Sequence, residues 1–446
     1  MRGADHAARA RRGVPSWLWF ALSGVLGVAL AAALSYAVWG APGAESVAEP
    51  SASPSPSPDA SPSPSPSPSP SPTAEPEEPT VTFTFVAAGD VLTHDPVNKS
   101  ASATGTLDYS PLMANVAPYV AGADLAICHL EVPVAPEGTA PSGYPMFGAP
   151  KEIVRDLGEL GWDGCSTASN HSVDRKFAGI VATINELDAY RMGYAGTART
   201  PEEAASVQFY HVREGKRVIR VANISFAYGL NGLPVPADAP WSVNIFNADA
   251  ADASPIIAAA QQARDQGADV VIASVHCCVE YRTDPTPAQR SVVEQIAASG
   301  LVDLYVGHHA HVPQPIELLP GGPNGDGMWA AFGLGNFLSN QDTQCCVANT
   351  NSGVLLTATI SVDPDDKVSV GVEWTALTVD RLGKHTMYLL RDIPGGAGRL
   401  SAGEVAARLA RVTDAVGSQA PERTSPPGKL ADAAYVDDRG PWTPGS

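Results

Sequence analysis

The chain has 446 residues and a formal net charge of −19, long enough for one large domain or two ordinary ones. That acidity excludes a nucleic-acid-binding face, which needs clustered Lys and Arg, and any polybasic lipid contact beyond the N-terminus. Anionic substrates stay open if a metal ion supplies the positive charge.

Residues 17–39 form an almost unbroken apolar run bounded by Trp17 and Trp39, with the length and aromatic flanks of a bilayer-spanning helix. Arg2, Arg9, Arg11 and Arg12 precede it. The expectation is a cytoplasmic segment at 1–16, a signal anchor at 17–39 and all later residues on the extracytoplasmic side. A cleaved signal peptide is the alternative, although its apolar region usually runs about 7–15 residues and no clean Ala-x-Ala site follows. Residues 40–79 read as a disordered linker dominated by a Ser-Pro repeat. Alternate prolines block helix and ladder hydrogen bonds and favour extended polyproline II.

A folded domain is expected over 80–395. Strands read at 82–88, 124–128, near Cys165, and at 217–227, 269–275, 302–306, 329–334, 354–360 and 368–374. Helices read at 151–160, 177–190, 255–266 and 287–298, from apolar positions at helical spacing. This alternation predicts an α/β sandwich of mixed β-sheets flanked by helices. A partly disordered tail is expected at 396–446, with one helix over 403–416.

The polar motifs fall at predicted strand ends, where ligands collect in open α/β sheets. Asp90 follows Gly89, a residue that would let a metal ion approach the backbone, and offers a hard carboxylate. His94 reads as a ligand, a substrate contact or a surface residue. Glu131 either bridges two ions or makes a structural salt bridge. Asn170 offers a weak neutral ligand, and the adjacent His171 a general acid near neutral pH, with Asp174 placed to orient it. His276 ends an apolar strand, as a ligand or a structural histidine. The Gly307-His308-His309-Ala310-His311 cluster is the strongest signal. On a strand, residues two apart share a face, so His309 and His311 are expected to grip one ion or two adjacent ions. Glu280 and Tyr281 are expected to line the pocket and Glu317 to orient a ligand. Such a mixed N/O donor set suits Mn, Zn or Fe.

Six cysteines are present. Outside the cytoplasm they are expected to form disulfides: Cys128 with Cys165, and the pair Cys277-Cys278 linked to the pair Cys345-Cys346. Cysteine ligation of a metal is the weaker alternative.

The order Gly89-Asp90, His129-Leu130-Glu131, Ser169-Asn170-His171-Ser172-Val173-Asp174, His276 with Glu280-Tyr281, His308 to Glu317 and Leu334-Gly335-Asn336-Phe337 resembles the CapA capsule-synthesis family. That family has the calcineurin-like metallophosphoesterase fold. The resemblance runs from about Val81 to Arg391. It implies a metallo-dependent phosphatase-like sandwich and a role in bacterial poly-γ-glutamate capsule or cell-envelope polymer assembly. It also implies that Asp90, Asn170, His276, His309 and His311 are ligands, that Glu131 takes the bridging acid's place and that His171 takes the place of the acid or phosphate-contacting histidine. His94, His129, His308 and Asn336 join Glu280, Tyr281 and Glu317 as substrate contacts or supporting residues. Three positions depart from the pattern: Leu92 stands where the first motif has histidine, Glu131 replaces aspartate, and His129 stands where relatives commonly carry asparagine.

Two function classes follow. One is a membrane-tethered, metal-dependent hydrolase or transferase acting on a cell-envelope polymer with one or two divalent ions. The other is a non-catalytic scaffold that binds polymer or other capsule-assembly subunits. A solute-binding receptor is a third and less fitting class, because it needs no clustered histidines.

Overall fold

Alternation along β1 (Val81–Val91) decides the layering of the molecule, a computed structural model that describes residues 78–437. Phe83, Phe85 and Ala87 enter one buried cluster together with Tyr210, Ile219, Val270, Ile272 and Leu304. Val86 and Ala88 enter another, against Ile153 and Leu157 of helix Glu152–Leu160 and Ile180 and Ile184 of helix Lys176–Ala189. Successive strand side chains point to opposite faces, so one strand seeds two cores. Burying each of its phenylalanines contributes about 1.5–3 kcal/mol.

The strands that follow are β2 (Leu125–Leu130), β3 (Gly164–Ser166), β4 (Gly193–Ala195), β5 (Gln208–Glu214) and β6 (Arg217–Ala227). Next come β7 (Val270–Cys277), β8 (Leu304–His309), β9 (Ile316–Leu319), β10 (Met328–Ala331) and β11 (Asn336–Leu338). After these lie β12 (Ser352–Val362), β13 (Val368–Asp380), β14 (Thr386–Leu389), the short pair β15 (Gly396–Ala397) and β16 (Leu400–Ser401), and β17 (Ala433–Val436).

One sheet runs β14-β13-β12-β1-β2-β3-β4, with β11 also beside β1, and the other runs β17-β5-β6-β7-β8-β10-β9. Strands β1 to β4 run parallel to one another, as do β6, β7, β8 and β10, while β12, β5 and β9 join these blocks antiparallel. Helices Ser254–Asp265 and Pro287–Ala298 cover the outer face of the second sheet through Ile256, Val292 and Ile296. The result is the expected sandwich of mixed sheets flanked by helices.

The described part of the tail, which runs to Asp437, is ordered and contains the expected helix. Helix Ala402–Val416 buries Val405, Val412 and Val416 in the cluster between the sheets, and β17 pairs antiparallel with β5. A sparse apolar stripe and an open sheet edge hold this segment, and neither is visible in its Ala- and Gly-rich composition. The expected cytoplasmic segment, the apolar run and almost all of the Ser-Pro linker lie outside the described residues. Among the described residues no helix is long and apolar enough to cross a membrane.

The cysteine pairing also differs from expectation. Cys128 bonds Cys165, its register partner on the neighbouring parallel strand. The two vicinal pairs each close on themselves, Cys277 with Cys278 and Cys345 with Cys346, instead of linking to each other.

Candidate metal centre

The parallel strands of both sheets deliver polar side chains at their carboxyl ends. From the first sheet come Asp90, His129 and Glu131, with Asn170 and His171 in the turn after β3. From the second come His276 on β7 and His308 and His309 on β8. Gly89 is required here by the backbone just before β11. A Cβ at this position would run into the Gly335 carbonyl, whose oxygen instead accepts the Asp90 amide at 2.9 Å. This glycine therefore permits a close approach of two chain segments.

Two groups of buried metal-ligating side chains result: Asp90, His129 and His308, and Glu131, His309 and His311. Within each group the donor atoms lie within 4.8 Å of one another. His308 Nδ1 is 3.5 Å and His129 Nε2 3.9 Å from Asp90 Oδ1. His311 joins the groups, with Nδ1 2.9 Å from Asp90 Oδ2 and Nε2 3.7 Å from Glu131 Oε1. The same Nε2 is 3.7 Å from Glu280 Oε1.

His309 and His311 converge for a reason other than strand alternation. Strand β8 ends at His309, and both residues are left-handed, with φ of 81° and 55°. Such backbone costs on the order of 1–3 kcal/mol per residue and clusters at functional sites. His308, the last residue but one of the strand, therefore faces Asp90.

Charge is unevenly placed. Burial opposes ionisation of Asp90, but the imidazoles of His308 and His311 outweigh it and hold the carboxyl well below its ordinary value. Burial pushes Glu131 well above its own. His129 and His276 are pushed down by burial and by neighbouring histidines, and His309 falls to about 3 for the same reasons. Burial also opposes the charge of His311, yet Glu131 and Asp90 raise it to about 9. Both oxygens of Glu131, His308 Nδ1 and His309 Nδ1 are buried without a hydrogen-bond partner. Unpaired buried groups of this kind are costly. A divalent cation satisfies a carboxylate and neutral imidazoles together, so the donor set fits one.

Around these groups the structure places the remaining candidates. His276 bridges two of them, with Nδ1 2.9 Å from His129 Nε2 and Nε2 2.9 Å from Asn170 Oδ1. Its Nε2 also lies 3.8 Å from Glu131 Oε1. His276 falls in neither group of three, although it lies between His129 and Asn170. Asn336 braces His311, with Oδ1 3.1 Å from Nδ1. His94 lies outside both groups, its Nδ1 3.3 Å from the Leu92 carbonyl, and lines the adjoining cavity. Glu317 does not reach the centre: its carboxylate is held by Arg290 at 2.8 and 3.0 Å, on a strand paired with β10. Sequence reasoning missed Ser166, 2.8 Å from His129 Nδ1, and Tyr228, whose ring lies 4.6 Å from that of His309. No motif marks either.

His171 and Asp174 sit beside the groups. His171 Nδ1 is 2.7 Å from Asp174 Oδ2, which leaves Nε2 as the ring nitrogen available to a ligand. Both residues line a cavity of about 570 Å³ that also contains Tyr144, Glu280, Tyr281 and the Cys345–Cys346 pair. This volume lies in the range typical of small-ligand sites, about 300–1,000 Å³.

Residues 84–341 match the family model described as bacterial capsule synthesis protein PGA_cap. The chain belongs to this family. The PGA_cap match contains all the residues of the two groups, together with His171 and Asp174. Among curated relatives, the chain is 26% identical over 272 residues to the capsule biosynthesis protein CapA of Bacillus anthracis, covering 59% of this chain and 61% of that one. It is 27% identical over 192 residues to the PGA biosynthesis protein CapA of Bacillus subtilis (strain 168), covering 43% and 46%. The match thus spans less than two thirds of either relative. Similar solved structures include a phosphatase from Mycoplasma pneumoniae (TM-score 0.37, 16% identity, 67% of this chain and 94% of that one). A calcineurin-like phosphoesterase from Bacillus subtilis is also similar (TM-score 0.35, 12% identity, 75% and 97%).

Proposed function

We propose that this PGA_cap chain is an extracytoplasmic, metal-dependent hydrolase or transferase acting on a capsule or cell-envelope polymer. The observation that carries the reading is the buried Glu131 carboxylate, neither oxygen of which is hydrogen-bonded, set among His309 and His311 beside the His171–Asp174 pair. Asp90, His129 and His308 would hold one divalent ion, and Glu131, His309 and His311 a second; one or two ions of Mn, Zn or Fe suit this donor set. When bound, such an ion supplies Lewis-acid polarisation and acidifies water.

The chain's own residues do the rest. Asp174 holds His171 through Nδ1, so that Nε2 is the nitrogen that can hand a proton to a leaving group. His276 holds Asn170 and His129 in place through its two ring nitrogens. The buried walls of the centre exclude bulk water, which strengthens every electrostatic contact inside it.

The location outside the membrane is supported by the three disulfides, which persist in oxidising compartments, and by the apolar run at 17–39 after four arginines. On this reading that run tethers the domain to a bacterial cell membrane. The polymer is the partner proposed, with other capsule-assembly subunits beside it. A non-catalytic scaffold is the second reading, favoured by Leu92, a buried aliphatic residue where the metallophosphoesterase motif has histidine.

The deciding experiment measures metal content and phosphodiester hydrolysis of the purified chain alongside His309→Ala. Bound transition metal and turnover, both lost in the variant, support the hydrolase. Metal without turnover on phosphodiester or γ-glutamyl substrates moves the reading to the scaffold.

A further inference from the structure

Asn170 turns its amide oxygen towards the metal centre, and a residue outside every sequence motif decides that it does. The two ends of an asparagine amide are nearly the same size, but only the oxygen has lone pairs for a cation, and the NH2 end only donates. Asn170 Oδ1 lies 2.9 Å from His276 Nε2, which is 3.8 Å from Glu131 Oε1. His276 does not select this orientation unaided. A neutral imidazole presents either an N–H or a lone pair at Nε2, according to its tautomer, so it suits either end of the amide.

The selection comes from the other side. Asn170 Nδ2 donates to Asn231 Oδ1 at 3.0 Å. Asn231 lies in the connection after β6, on left-handed backbone with φ of 52°, a region that asparagine tolerates better than most side chains. It lines the same cavity as Asn170 and His171. Its own Nδ2 lies 3.4 Å from His171 Nδ1, the nitrogen bonded to the Asp174 carboxylate. Negative charge there favours the NH2 end of Asn231 on that side, which leaves Oδ1 for Asn170. One amide thus connects the His171–Asp174 pair to Asn170.

We propose that Asn231 is a positioning residue: its amide oxygen holds the Asn170 NH2 away from the centre, so that Asn170 Oδ1 faces the cation. The inference rests on the metal-dependent reading above and adds a residue that acts on the ion only through Asn170.

The test compares the full chain, purified in detergent and stripped of metal by a chelator, with Asn231→Gly and Asn231→Asp. Both replacements accept the left-handed backbone. Glycine removes the acceptor, whereas aspartate keeps an acceptor and has no NH2 end to reverse. Titration with Mn alone should show Asn231→Gly binding about ten-fold or more weakly, the loss usual for residues that orient a ligand. Asn231→Asp should bind no more weakly than wild type, and the metal-free Tm of Asn231→Gly should match wild type. Nitrogen NMR of the metal-free histidines, with His276 assigned by its loss in His276→Asn, should place the His276 proton on Nε2 in wild type and Asn231→Asp. In Asn231→Gly that proton should be shared between both ring nitrogens.

Unchanged Mn affinity in Asn231→Gly, or an equal loss in Asn231→Asp, overturns the inference. A fall in metal-free Tm that accounts for the weaker binding of Asn231→Gly does so too. Failure of the metal reading shows separately, as a wild type that binds no Mn. The histidine spectrum then decides alone: a His276 proton that leaves Nε2 only in Asn231→Gly sustains the positioning of Asn170, and the same spectrum in all three proteins removes it.

Discussion

His171 and Asp174 share a 2.7 Å hydrogen bond between Nδ1 and Oδ2, and the same carboxylate oxygen accepts the Phe147 amide at 2.7 Å. The carboxylate is thus fixed from the backbone, and it fixes the imidazole in turn. Replacing Asp174 with Asn should preserve shape yet disturb the tautomer. On the proposed function, Asp174→Asn lowers kcat on a phosphodiester about 100-fold or more, with metal content unchanged. Steady-state kinetics with metal analysis checks this, and an unchanged kcat would remove His171 from the reaction.

A bound ion also stabilises the fold. Ligands that bind only the native state add about 2.7 kcal/mol at a hundredfold excess over Kd. A chelator should therefore lower the Tm of the wild type by several degrees and leave the Tm of Glu131→Gln/His309→Ala where it was. Equal shifts in both proteins would show that the stabilising metal binds elsewhere.

Gly89 tests how the centre is held. A Cβ there meets the Gly335 carbonyl oxygen, which is backbone and cannot swing aside. Gly89→Ala should cost at least about 2 kcal/mol in urea unfolding and weaken metal binding together with it. A stable Gly89→Ala protein would mean that β11 need not lie so close to Asp90.

The Cys128–Cys165 bond closes a loop with a sequence separation of 37. Cys128→Ala/Cys165→Ala should lose about 2–4 kcal/mol. Peptide mapping under non-reducing conditions should find no peptide joining Cys277-Cys278 to Cys345-Cys346, and a cross-linked peptide would restore the pairing expected at the outset.

Acid stability has one traceable contributor far from the metal ligands. Burial raises Asp163 from 3.8 to about 6, although its Oδ2 accepts the Ala126 amide at 2.8 Å. A folded-state value above the unfolded one favours the native state at low pH, and that contribution is lost as pH rises through the folded value. Between about pH 4 and 6 this residue should remove roughly 1–2 kcal/mol. Asp163→Asn should flatten the rise of urea midpoints on acidification over that window, and an unaltered slope would assign the effect to other groups.

Much of the architecture was legible because it is local. The alternation of Phe83 and Phe85 in β1, the continuous apolar run of β7, and helical spacing at Ile180, Ile184 and Leu187 each report burial from local sequence. The polar residues that interrupt those runs therefore mark strand ends. β4 and β11, three residues each, are too short to show a period, and β17 forms only because β5 offers an edge.

The sequence by itself determined which residues reach the carboxyl edge of the sheets, since strand length and alternation need no partner to be read. Tertiary structure alone decided which nitrogen meets which oxygen. His308 joins Asp90 and His129, while His309 and His311 turn on left-handed backbone towards Glu131. Asp90 and His309 are 219 positions apart, and Glu317 turns to Arg290 across 27. A ligand set is a property of distances, and distances between remote residues are set by packing that no local pattern encodes.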